Sequence, residues 1–401
     1  MGPQDLPALL AGNAEVTPAG ELERKLALGR PLRVKLGLDP TAAMVTLGWA
    51  VVLRKLRQFQ DLGHQAVLIV GDFTARVGDP SGRSQTRRRL PKEEVLAYAE
   101  ALLDQFWLVL DRERAEVRYN AEWLEPMDME AILDLTSSYT VARMLERDDF
   151  AKRYERGKPI TIMEFLYPLF QARDSVAVEA DVELGGRDQT FNLLVGRDLQ
   201  RDHGQEPQVA VTTPLLVGTD GVQKMSQSVG NYIGITEPPG DMFGKLARVR
   251  DELIAEYRLL ALDFFGDPSE AERVARGLED GTLDPWREKR RLALEVVDLY
   301  HGEGAGAAAQ AEFDRVHKAG ELPEEIPEAT IPRDLVVDGT VYLPKLLAVL
   351  GLAESANRAR GLIEQGGVRV DGERVDELEA PVDRLRGAVL QVGRRQFVKL
   401  G

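Results

Sequence analysis

The sequence predicts an α/β protein: a long first domain built on a parallel sheet with crossover helices, a helix-only segment, and a small α+β module. Strand-like and helix-like runs alternate through the first half, the pattern of a parallel sheet. From Pro238 to about Lys318 only helical patterns recur, and a stretch with three prolines then precedes the last module. A length of 401 residues favours two or three domains. The 44% hydrophobic and 29% charged residues are the balance of a soluble globular chain with real cores.

Each element has a local reason. "PLRVKLGL" is a short β-rich run, "AVVLRKLRQFQDLG" puts Val52, Leu56 and Phe59 on one helical face and stops at Gly63, and "QAVLIVGDF" is a continuous apolar strand of the buried kind. "QVAVTTPLLVG" is a further strand, which closes a nucleotide-binding α/β domain at residues 1–235. Residues 236–320 read as helices, as in "MFGKLARVRDELIAEYRLLALDFF" and "DPWREKRRLALEVVDLYHG", where Asp284 and Pro285 form an N-cap and first-turn pair. Residues 321–338 read as a linker and 339–401 as the α+β module, with Gly366-Gly367 and Asp371-Gly372 as turns between short strands.

Composition excludes several chemistries. There is no Cys, so disulfides, thiolate metal sites and cysteine nucleophiles are absent. The four His (His64, His203, His301, His317) are far apart, and none forms a pair at metal-ligand spacing; no metal site is expected. No basic-then-apolar leader and no bilayer-length apolar run occur, so a cytoplasmic protein with no membrane partner is expected. A net charge of -15 argues against nucleic acid at first, but from Gly339 onward ten Lys/Arg face eight Asp/Glu, a net of +2 that leaves -17 for the rest.

Four segments carry candidate chemistry. "KLGLDPTAAMVTLGW" joins a strand end to a helix start, where an open parallel sheet binds phosphates, although an ordinary strand-to-helix turn would look the same. "GDFTARVGDPSGRSQTRRR" offers Asp72, Thr74 and Asp79, with Asp79 expected at a strand end where it could hold an ammonium group. Its Pro80-Ser81-Gly82 turn precedes Arg87 to Arg89, which are either a solvated run or a phosphate contact. In "EFLYPLFQARDSVAVEADVELGGRDQ", Tyr167, Gln171 and Asp174 fall at i, i+4 and i+7, one helical face, and polar groups on such an apolar face need a ligand or a partner. "GVQKMSQSVGN" is a small-residue loop with a single Lys, Lys224, suited to clamping phosphate.

These motifs taken together, "GLDPTA", "VVLRKLRQFQDLGH", "GDPSGRS", "EFLYPLFQARDSVAVEADVELGGRDQ" and "KMSQS", resemble the bacterial tyrosyl-tRNA synthetases over nearly the whole chain. The resemblance implies a Rossmann-like class I catalytic domain, an α-helical anticodon-binding-like domain and an S4-like RNA-binding domain. It also implies ATP with Mg²⁺ as substrate, L-tyrosine and tRNA(Tyr) as partners, no tightly bound cofactor, and a homodimer. By the same resemblance Tyr167, Gln171 and Asp79 hold the amino-acid ammonium, and Asp174 accepts the phenolic hydroxyl. Rejection of phenylalanine follows, because that carboxylate would be stranded without a donor. Asp39 and Thr74 line the pocket, and Lys35 stands where many relatives carry a second tyrosine for the phenol. Gly185, Asp188 and Gln189 meet the ribose and carboxylate of the adenylate, Gly37 and Gly48 make room for the nucleotide, and Trp49 stacks on the base or partly fills its pocket.

The chain departs from the family at two signatures. His-small-Gly-His is Thr46-Leu47-Gly48-Trp49 here, and the second lysine of Lys-Met-Ser-Lys-Ser is Gln227, so Thr46, Lys224 and Gln227 are the catalytic candidates. Removing one preorganised transition-state donor typically costs about 3 to 4 kcal/mol, or roughly 10²- to 10³-fold in rate. In the terminal module Arg358 replaces the family's usual acid and Gly361 its usual arginine. Three readings follow: a tyrosine–tRNA ligase working through altered signatures, a paralogue with weak or lost ATP activation repurposed for another amino-acid or aminoacyl-transfer reaction, and a non-enzymatic tyrosine- or RNA-binding protein.

Overall fold

Six strands give the first domain its sheet in the computed structural model, which describes residues 2–79, 90–262, 269–315, 326–337, 339–393 and 396–401. They are β1 (Glu15–Thr17), β2 (Arg33–Leu38), β3 (Gln65–Val70), β4 (Ala115–Tyr119), β5 (Val182–Gly186) and β6 (Val209–Thr213). Their order is β1-β6-β5-β2-β3-β4, and every pairing is parallel except β1 on β6. The antiparallel β1 was not foreseen, since three residues are too short to show a period. The apolar runs are buried on both faces: Val34, Leu36, Ala66 to Val70, Val182, Leu184 and Val209 to Val211 are at most 2% exposed.

The chain crosses from β2 to β3 and β4 in one direction, then returns to lay β5 on the other side of β2. That reversal opens a crevice at the carboxyl ends of β2 and β5, where ligands of such sheets bind. Helix α1 (Leu47–Asp61) starts at the end of the β2 loop, capped by Thr46, and buries Val51, Leu53, Leu56 and Phe59. Helix α2 (Ile162–Ala177) opens with a Thr161/Glu164 capping box, and α3 (Thr190–Asp202) packs along it after β5.

The helical segment holds α4 (Pro239–Leu246), α5 (Ile254–Ala261), α6 (Ser269–Glu279) and α7 (Pro285–His301). Between α4 and α5 Arg250 is extended and a 3₁₀ turn covers Asp251–Leu253, which lets both Val249 and Ile254 reach the core. Asp284 caps α7 as expected, accepting from the backbone amides of Trp286 at 2.8 Å and Arg287 at 3.4 Å. Residues 1–306 form one compact unit, which therefore includes α4 to α7, and residues 307–401 form a second.

Among the described residues, the second unit packs short strands and the helices Leu343–Val349, Ala356–Glu364 and Val382–Leu385 around Val341, Leu346, Leu347, Ile363, Val368 and Leu390. Asp371 and Gly372, both with positive φ, turn between strands Val368–Val370 and Glu373–Arg374 as expected. Gly366-Gly367 is different: it ends the helix Ala356–Glu364 rather than linking strands. The amide of Gly366 reaches the Ile363 carbonyl and that of Gly367 the Leu362 carbonyl, a C-cap that needs the positive φ of Gly366. Of the expected linker, residues 326–337 are described and carry Leu335 in this core. The Pro80-Ser81-Gly82 turn and Arg87 to Arg89 lie outside the described residues. Among the described residues no helix is long and apolar enough to cross a membrane.

Replacing Asp284 with Ala removes the side chain that caps α7 and is expected to lower stability by about 1 kcal/mol. Urea denaturation of both proteins checks this, with a shifted midpoint and an unchanged slope as the expected result.

Candidate active site

A cleft of about 750 Å³ opens at the crevice between β2 and β5. Gly37, Asp39, Thr46, Gly48, Trp49, Thr74, Asp79, Tyr167, Gln171, Asp174, Gly185, Asp188, Gln189, Lys224 and Gln227 all line it. Asp72 does not: it is buried and accepts from the Ala121 amide at 2.9 Å. Nor does Lys35. It is fully buried beneath the cleft floor, its ammonium 2.9 Å from Glu183, 2.6 Å from Ser175 Oγ and 3.1 Å from the Gln171 carbonyl. An ammonium on a buried strand reaches its partner on the next strand instead of the ligand, so Lys35 does not stand in for a phenol-binding tyrosine.

One end of the cleft is a set of hydrogen bonds whose directions are all determined. Asp39, just past β2, accepts from Tyr167 Oη at 2.9 Å and Thr74 Oγ1 at 2.7 Å. Burial and the Asp39 carboxylate hold the Tyr167 phenol well above its usual pKa, so it stays a donor to Asp39 and keeps its oxygen as an acceptor. Gly71 makes this contact possible: a Cβ there would fall 2.2 Å from Asp39 Oδ1 and 2.3 Å from Thr74 Oγ1. Asp79 is not at a strand end, because β3 stops at Val70 and a short helix, Thr74–Val77, intervenes. It accepts from Gln189 Nε2 at 3.0 Å and Arg147 Nη2 at 3.3 Å.

Asp174 lies deeper on the same face of α2. Trp123 Nε1 donates to it at 2.8 Å and Asn120 Nδ2 at 3.3 Å, and Asn120 also donates to Thr74 at 2.9 Å. Burial pushes the Asp174 carboxyl up to about 7, against the opposing pull of Lys35 and the two donors. A buried acceptor aimed into a cleft, poised near neutral pH, suits a ligand that brings one hydroxyl donor.

The other end is built on the start of α1. Thr46 is buried, and its Oγ1 caps the helix by accepting from the Trp49 amide at 3.2 Å. The Gly48 amide points to Met225 Sδ at 3.3 Å, and the Gln227 amide donates to the Met44 carbonyl. Trp49 is half-buried, its ring 6.2 Å from that of Phe106. Lys224 pairs with Asp188 at 2.5 Å. A Cβ on Gly37 would meet nothing within 4 Å. Two anchors, Met225 and Gln227, therefore hold the Lys224 loop against the helix start, and Gln227 brings a neutral amide engaged with backbone.

The family model described as tRNA synthetases class I (W and Y) matches residues 27–318, and the S4 domain model matches residues 343–387. The tyrosine–tRNA ligase of Moorella thermoacetica is 50% identical over 401 residues, covering 99% of this chain and 95% of that protein. The chain belongs to the class I tRNA synthetases. Within them it is also similar to the tyrosine–tRNA ligase of Thermotoga maritima, 48% identical over 100% of this chain and 98% of that protein. The solved tyrosyl-tRNA synthetase of Archaeoglobus fulgidus, complexed with L-tyrosine, shares the fold with a TM-score of 0.63 at 23% identity, over 76% of this chain and 98% of that one.

Sequence reasoning missed five residues that hold the lining of this synthetase cleft in place from behind. Asn192 follows Gln189 by three positions into α3 and was findable from that spacing. Asn120 and Trp123 are also three apart, but "YNAEWLEP" passes for surface. Glu183 and Lys35 are single charges in otherwise apolar strands and stand opposite each other in register, a signal visible only once β2 and β5 are known to pair. Arg147 has no local signal.

The sign of the Asp174 effect is testable. Its folded pKa exceeds the unfolded value near 3.8, so its burial favours the folded state only while it is protonated, and that advantage is lost as pH rises toward about 7. Relative to Asp174→Asn, the native protein is expected to lose on the order of 2 to 4 kcal/mol of stability between pH 4 and pH 7 and to level off above. Parallel denaturant titrations of the two proteins measure it.

Proposed function

We propose that the chain activates L-tyrosine with ATP, bound with Mg²⁺ as substrate, to tyrosyl-adenylate and transfers the tyrosyl group to tRNA(Tyr). The carrying observation is a cleft whose amino-acid end is complete and of determined polarity, in a chain half-identical to tyrosine–tRNA ligases over its length. The ammonium of tyrosine sits among Asp79, Tyr167 Oη and Gln171 Oε1, and its phenol donates to Asp174. The tyrosine carboxylate attacks the α-phosphate, pyrophosphate leaves past Lys224, and Asp188, Gln189 and Gly185 receive the ribose and carboxylate side of the adenylate. The adenine lies over Gly48 and against Trp49, with Thr46 and the first amides of α1 near the phosphates.

Exposed Met129, Leu133, Val141 and Ile162, at 73%, 61%, 60% and 78%, support a second copy of the chain as partner, so the working form is a homodimer. The S4 domain, with Arg358 exposed and open space around Gly361, contributes tRNA contacts, and the protein works in the cytoplasm with the translation apparatus. One observation favours a second reading, a paralogue that binds tyrosine yet activates it weakly: Gln227 is tied to the Met44 carbonyl where a cation is lacking, and the Thr46 oxygen is engaged in capping α1.

Tyrosine-dependent ATP–pyrophosphate exchange and tRNA(Tyr) charging separate the two. The first reading predicts both activities, and Thr46→His, Trp49→His, Gln227→Lys together are expected to raise kcat by at least about 10²-fold with little change in tyrosine affinity. Tyrosine binding with no exchange at high enzyme concentration would establish the paralogue reading instead.

A further inference from the structure

Glu183 lies under the cleft, fully buried, and takes no direct part in the chemistry above. Four donors converge on it: Lys35 Nζ at 2.9 Å and Gln171 Nε2 at 3.0 Å on one oxygen, Ser175 Oγ at 3.1 Å and Gln208 Nε2 on the other. A carboxylate only accepts, so Gln171 must turn its Nε2 inward and its Oε1 away. That Oε1 accepts from Asn192 Nδ2 at 3.0 Å, and Asn192 Nδ2 also donates to Gln189 Oε1 at 3.0 Å. Asn192 Oδ1 in turn accepts from Arg147 Nη1 at 3.0 Å, and Gln189 Nε2 donates to Asp79. Three amides, each able to flip, are thus pinned by ends that cannot: acceptor-only Glu183 and Asp79, and donor-only Arg147.

We propose that Glu183, neutralised by Lys35, is a positioning residue that fixes Gln171 with its oxygen toward the cleft and so makes Gln171 an acceptor for the substrate ammonium. A reversed Gln171 would present an NH₂ to an NH₃⁺. The inference rests on the reading that tyrosine binds in this cleft, and it names the part of the substrate that Glu183 controls. Three ligands separate that part: tyrosine, tyramine, which keeps the ammonium, and 3-(4-hydroxyphenyl)propionate, which lacks it.

Calorimetric titration of the full chain with each ligand is the test. Lys35→Met with Glu183→Leu removes both charges at similar volume and leaves no buried ion unpaired. The double variant is expected to lose about tenfold in affinity for tyrosine and tyramine and to bind the ammonium-free acid as the native protein does. Adding Gln171→Glu, an acceptor whichever way it turns, should restore tyrosine and tyramine alone. Gln171→Met in the native background, where the pair stays intact, should show the same ammonium-specific loss, and a Gln171→Met protein that loses nothing overturns the proposal whether or not the double variant folds. Equal weakening of all three ligands by the double variant, or no weakening, also overturns it. A native protein that binds none of the three fails earlier and refutes the reading of the cleft itself.

Discussion

The Lys35–Glu183 ion pair joins β2 to β5 at the point where the chain reverses across the sheet, and the cleft is assembled over it. Two charges buried this deeply are tolerable only when each finds several partners, because desolvation otherwise exceeds their attraction. Here the ammonium has a carboxylate, a hydroxyl and a carbonyl, and the carboxylate has four donors. The pair also sits on the two central strands, whose positions are set by apolar burial on both faces. The sheet fixes the pair, and the pair fixes the polar residues of α2 above it.

From that base the two ends of the cleft differ in kind. The end at Asp174, Tyr167 and Asp79 is a chain of groups in which the described donors meet acceptors. Such a network is rigid, since turning one member leaves another buried group unpaired. Among the described residues, the end at the start of α1 has few charges directed at the cleft. Thr46 is engaged in capping, Gln227 in holding the Met44 carbonyl, and the Lys224 ammonium in pairing with Asp188. A pocket of fixed polarity adjoins a region where, among the described residues, Lys224 pairs with Asp188 and Gln227 holds backbone.

Much of this was legible in the sequence where one periodicity dominates. Strands β2, β3 and β6 and helix α1 follow from apolar runs and capping residues, and Tyr167, Gln171 and Asp174 were placed on one face by helical spacing alone. The errors share a physical origin in partners distant along the chain. Lys35 looked ligand-facing because its counter-charge is on β5, 148 positions later. Asp79 looked like a strand end because a four-residue helix leaves almost no pattern. Gly366-Gly367 ends a helix where a turn between strands was expected, as both uses need the same positive φ. Arg147 and Asn120 reach Asp79, Asn192, Thr74 and Asp174 through hydrogen bonds to distant parts of the chain, which no local window contains.

The central claim is that Asp174, a buried acceptor at the end of a fixed network, selects a ligand by its hydroxyl. Equilibrium binding of tyrosine and phenylalanine at pH 8 without ATP tests it most directly, since no phosphate chemistry enters. The account predicts that phenylalanine binds at least about tenfold more weakly, because it would bury a carboxylate with no donor from the ligand. Equal affinity for the two amino acids would contradict it.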